Sequence, residues 1–140
     1  MQTIEILRPV LVLAGWTVVM AIWMVATRIP AMRKAGVDAQ EARDTSRLSE
    51  LLPLGVQSIA LNYNHLFEQP TLFYAVALVI GMLGNVDAMH VNCAWLFVVL
   101  RIAHSCVQAT VDIVMLRFSI FAASWVVLAT MIGRELLAAF

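Results

Sequence analysis

Arg101, His104, Gln108 and Asp112 follow one another at intervals of three, four and four residues. That spacing sets them on one face of a helix. They lie inside AWLFVVLRIAHSCVQATVDIVMLR (94–117), whose other positions are mostly apolar. An ionisable side chain at bilayer depth costs roughly 2.5–3.5 kcal/mol on insertion scales unless it is paired or hydrated. The stripe must therefore face other protein or a water-filled cleft. A buried Arg101 and a buried Glu68 each need a partner, and the two are predicted to form an ion pair. That pair reads either as a lock on helix register or as part of a ligand contact. Arg117 stands at the mouth of the same cleft. One cation backed by a polar stripe suits a small anionic ligand entering from the aqueous side.

The elements that must carry these groups are membrane spans. The chain has 140 residues, of which 62% are hydrophobic and only 13% charged, with mean hydropathy +0.88. An ordinary soluble domain is about 25% charged. The composition gives an integral, all-α membrane protein with one domain over residues 1–140. Nine basic and nine acidic residues leave a net charge of +0, which offers no basic surface for nucleic acid. Cys93 and Cys106 fall on one predicted helix thirteen residues apart. That is about 20 Å along the axis, too far to bridge. His65, His104 and Glu68 do not suggest a metal: no His pair has i, i+4 spacing, and Arg101 repels cations.

Hydropathy divides the chain into four spans. The first is predicted from Pro9 to Ile29, with 18 uncharged residues from Val10 to Thr27 and Pro30 as its stop. It reads as a retained span rather than a cleaved leader. Residues 31–52 are polar, and Asp38 and Glu41 have capping-box spacing for a short surface helix. Arg28, Arg33, Lys34, Arg43 and Arg47 cluster here, five of the nine basic residues. The positive-inside rule puts this loop in the cytoplasm and both termini on the other side. The second span covers about Leu54 to Leu83, with a kink at Pro70. The third runs from about Ala88 to about Val114. The chain is predicted to turn near Met115 and Leu116, and the fourth span to run from about Arg117 past Arg134.

NYNHLFEQPTLFY (62–74) and RIAHSCVQATVDIVMLRFSIF (101–121) together resemble the MAPEG family, the membrane-associated proteins of eicosanoid and glutathione metabolism. The family pattern is R-x-x-H-x-x-x-Y, an Arg nine residues later, and an aromatic four after that. Arg101, His104, Gln108, Arg117 and Phe121 keep every interval. Glu68 matches the family's second-helix Glu, and Asn64 or His65 takes the place of its Asn. Gln108 and Phe121 stand where the family has tyrosines. The form of the first block looks like a bacterial branch, which implies a bacterial inner membrane.

The resemblance implies a four-transmembrane-helix bundle assembling as a homotrimer, with clefts between subunits facing the cytoplasm. It implies glutathione as co-substrate and a transferase or peroxidase activity on a lipophilic electrophile delivered from membrane lipids. Arg117 would stabilise the glutathione thiolate as the catalytic residue. Arg28, Asn64, His65, Glu68, Arg101, His104 and Gln108 would bind the tripeptide or hold the site together. A free thiol with pKa about 8.5 is mostly protonated at neutral pH, and a nearby guanidinium favours the thiolate. The missing tyrosines support a rival reading: a non-enzymatic protein of the same fold that binds a small lipid, an anion or a partner protein.

Overall fold

The computed structural model describes residues 2–38, 40–43 and 45–139. Helix α1 spans Gln2–Lys34, a 3-10 turn Glu41–Arg43, α2 Thr45–Leu51, α3 Leu54–His65, α4 Gln69–Leu83, α5 Ala88–Ala109 and α6 Val114–Ala139. No strand occurs among the described residues. Four segments are long and apolar enough to cross a membrane: Ile4–Lys34, Leu54–Leu83, Ala88–Ala109 and Val114–Ala139. The all-helical, four-span expectation is met.

Each span buries one narrow stripe. In α1 the fully buried residues are Ile6, Leu13 and Met20, seven apart. Along α3 and α4 the stripe is Ile59, Asn62, Leu66, Gln69, Phe73, Ala77 and Ile80. Along α5 it is His90, Ala94, Phe97, Arg101, His104 and Gln108. Steps of three and four are the seam of a helix bundle. Phe73 and Phe97 stack at its centre, with ring centroids 4.4 Å apart. Most other apolar side chains point outward, as spans with 11% to 39% of their windows buried require. Trp16 and Trp23 pack against this core.

The spans end at different residues from those predicted. Helix α1 runs through Pro30 to Lys34. Proline removes only one backbone donor, and the flanking bonds carry the helix past it. The stop is Gly36, at φ +67. There Val37 N–H donates to Met32 O (3.1 Å) and Gly36 N–H to Arg33 O (3.3 Å), which is a Schellman closure. Helix α5 ends at Ala109 rather than near Val114, and α6 starts at Val114 rather than Arg117. The turn between them is made at Asp112, whose φ of 45° is left-handed, a conformation Asp tolerates better than most residues. Asp112 therefore lies beyond the helix whose face it was expected to share. The kink expected at Pro70 is a break over residues 66–68 with Pro70 in the first turn of α4. The predicted capping by Asp38 and Glu41 involves a Glu41 side chain outside the described residues, as is the side chain of Arg47.

At the end of the bundle away from the first loop, polar contacts tie the α4–α5 turn to α6. Asp87 caps α5 by accepting from His90 N–H (2.8 Å) and pairs with Arg134. Asn85 Nδ2 donates to Glu135 Oε2 at 3.0 Å. The His90 backbone N–H, then the His90 ring and the Arg134 guanidinium, hold the Asp87 carboxyl below the usual carboxylate range, against a desolvation effect that acts upward. A lowered folded value makes this contribution complete above the unfolded carboxylate value and lost as pH falls through the folded one. Asp87→Asn is thus expected to lower the melting temperature at pH 7. The gap to wild type should close in melts taken well below the carboxylate range.

Candidate functional site

At the first-loop end, the seam turns polar. Asn62, Gln69, Arg101, His104, Ser105, Gln108 and Ser124 are all buried. They come from α3, α4, α5 and α6, so every membrane span except the first contributes. Ser105 Oγ donates to Asn62 Oδ1 (3.1 Å). Arg101 Nη1 donates to Gln69 Oε1 (3.1 Å), and Ser124 Oγ donates to the same oxygen (2.9 Å). The guanidinium of Arg101 also lies over the Phe121 ring, 6.0 Å from its centroid.

The predicted ion pair between Glu68 and Arg101 does not form. The side chain of Glu68 is 62% exposed and meets His65 Nδ1 at 3.0 Å. Arg101, at 1% exposure, takes the neutral Gln69 instead. The stripe explains the difference: Gln69 follows Asn62 and Leu66 by seven and three residues and falls on the buried face, whereas Glu68 is rotated off it by one position. Arg101 is thus a buried cation with no carboxylate in contact. Such a group is costly in a span, so the surrounding dipoles carry its compensation.

Several buried polar atoms have no protein partner: Arg101 Nε, Gln69 Nε2, Asn62 Nδ2, His104 Nδ1 and Gln108 Oε1. A buried polar group left unsatisfied costs about 1–3 kcal/mol. These atoms are closed off inside the subunit, so the seam carries incomplete hydrogen bonding within the bundle. His104 is the link to open space. It lines a cavity of about 200 Å³ with His65, Arg117, Val114, Phe118 and Phe121. The His65 and His104 rings lie 6.4 Å apart in an edge-on arrangement, and His104 and Phe121 6.3 Å apart. Arg117 forms an ion pair with Asp112, whose other carboxylate oxygen accepts from Ser58 Oγ at 2.9 Å.

Arg28 and Asn64 fall elsewhere. They line a second cavity of about 140 Å³, with Leu48, Leu52 and Gln57. Asn64 and His65 are sequence neighbours about 100° apart around α3, and they face different cavities. The expected site residues thus divide into two groups within one subunit. Arg117, His104 and His65 share one cavity, and Arg28 and Asn64 share the other. Gln108 is buried beside the first group, and Glu68 is exposed beside His65. Among the described residues, no three His, Cys, Asp or Glu side chains come together as metal ligands.

Reasoning from sequence did not assign Asn62, Gln69 or Ser105 to the site. The signal for the first two was present, since both complete the three-and-four stripe of Ile59, Leu66, Phe73, Ala77 and Ile80. Comparison with known proteins gives one finding: the family model described as MAPEG family matches residues 6–137. No curated protein and no solved structure matches the chain.

Proposed function

The chain belongs to the MAPEG family, and from that premise we propose that it is a glutathione-dependent transferase or peroxidase acting on a lipophilic electrophile. Its site lies in a cleft between subunits of a homotrimer, facing the cytoplasm. The observation that carries this reading is the cavity that joins Arg117 and His104 to an apolar wall of Val114, Phe118 and Phe121. The guanidinium offers charge for a thiolate. The apolar wall accepts an electrophile partitioning from the bilayer.

The division of the expected site residues between two cavities supports assembly. A neighbouring subunit that sets its Arg28 and Asn64 against the Arg117 cavity completes one larger site. In this arrangement the thiol proton leaves to solvent, and Arg117 holds the sulfur anion. The sulfur–carbon bond then forms as the leaving group departs. Five of the nine basic residues lie between Arg28 and Arg47, which supports a cytoplasmic loop with both termini opposite; the proposed setting is a bacterial inner membrane.

The rival is a non-enzymatic member that keeps the polar seam and binds a lipid headgroup, an anion or a partner protein. Gln108 and Phe121, without the hydroxyl donors of tyrosine, favour it. Titrating glutathione into the detergent-purified protein at pH 7 decides between them. A thiolate absorbance that rises and saturates is expected. A folded trimer that leaves glutathione protonated and unbound would sink the enzymatic reading, and a co-purifying anionic lipid would then support the rival.

A further inference from the structure

We propose that Asp112, anchored by Ser58, is the positioning residue that holds the Arg117 guanidinium over the cavity. The role of Arg117 rests on the glutathione reading, but the tie itself does not. Arg117 sits in the first turn of α6, and its long stem near the end of a span is free to snorkel toward water and headgroups. One carboxylate oxygen of Asp112 takes Arg117 Nη1, which leaves most of the five guanidinium donors for a guest. The carboxylate is itself fixed. Asp112 has left-handed backbone at φ 45°, its N–H donates to Val107 O at 2.8 Å, and Ser58 Oγ donates to its second oxygen at 2.9 Å. One residue therefore joins α3, the end of α5 and the start of α6, its side chain tying Ser58 to Arg117 and its backbone N–H holding Val107.

Two effects of Asp112 on a bound thiolate oppose each other. Its negative charge weakens the field of Arg117. Its grip keeps the guanidinium in reach. Coulomb attraction falls with distance, and a thiolate in contact with the guanidinium lies farther from the carboxylate on its other side. Losing the guanidinium to solvent forfeits the whole attraction, whereas the carboxylate cancels only part of it. Positioning is the larger effect.

The test follows glutathione thiolate absorbance against pH in wild type, Asp112→Asn, Ser58→Ala and Asp112→Glu. Ser58→Ala keeps the charge and removes the anchor. Asp112→Asn and Ser58→Ala are expected to raise the thiolate midpoint by about one pH unit, roughly tenfold less thiolate, and Asp112→Glu to recover part of it. A lower midpoint in Asp112→Asn, or none of this shift in Ser58→Ala, overturns the proposal. If wild type forms no thiolate, the glutathione reading fails separately, and labelling with phenylglyoxal decides the tie. Arg117 should then react several-fold faster in Asp112→Asn and Ser58→Ala than in wild type, relative to Arg134, which is paired with Asp87 at the other end. Equal relative rates overturn it.

Discussion

Gln69→Leu is expected to destabilise the protein by about 1.5–3 kcal/mol, the worth of a buried hydrogen bond to a charged group. Its amide oxygen is the acceptor for both Arg101 Nη1 and Ser124 Oγ; Ser124 Oγ keeps the Phe121 carbonyl as acceptor, so leucine strands the cation alone. The neighbouring Glu68→Gln should change almost nothing. Glu68 is exposed, contacts His65 and acts on Arg101 only through space, and surface charges are worth about 0–1 kcal/mol. Gln69→Glu should be at least as stable as wild type, because it supplies the counter-charge that Arg101 lacks. Denaturation in detergent measures all three, and Arg101→Met combined with Gln69→Leu completes the cycle. Apolar replacement of both partners should recover much of the loss. A Gln69→Leu protein that melts with wild type would mean that Arg101 is compensated by some other group.

The same pair of residues shows where sequence reasoning succeeded and where it stopped. Hydropathy alone located four spans, because the bilayer fixes both the length and the polarity of what can cross it. The face of Arg101, His104 and Gln108 was legible, since all three lie within one uninterrupted helix. Glu68 was chosen over Gln69 by charge, although the apolar period around them selects Gln69. Helix ends were the weakest reading. Pro30 looks like a stop, but one missing donor is a smaller perturbation than the reversal that Gly36 permits at positive φ. The end of α5 depends on a left-handed aspartate, which no hydropathy window registers. The division of Asn64 and His65 between two cavities was not legible either, because it depends on which helices pack against α3. The heptad stripe of α1 was present in Ile6, Leu13 and Met20 but masked by apolar residues on every other face.

Arg117→Ala should abolish the glutathione thiolate signal, and Arg28→Ala should weaken binding while leaving the sulfur ionised once bound. The two residues line different cavities of one subunit, so their roles separate. Arg117 shares its cavity with His104 and the apolar wall, where the proposed activity would bring a sulfur and an electrophile together. Arg28 faces α2 and α3, where a guanidinium suits a carboxylate of the tripeptide. Near a guanidinium, a thiol otherwise mostly protonated at pH 7 becomes thiolate, so loss of Arg117 should return the bound thiol to its protonated form. Arg117→Lys should keep the charge but lose the planar guanidinium that holds Asp112 through Nη1 while its other donors face the cavity. Co-expressing the two alanine variants tests whether each site is built across subunits. In randomly mixed trimers about one quarter of the interfaces would bring an intact Arg28 from one subunit to an intact Arg117 of the next. Partial recovery of tight thiolate binding would place both residues in one intersubunit cleft. Mixed trimers no better than either parent would confine each site to a single chain, and the two cavities would then need separate ligands.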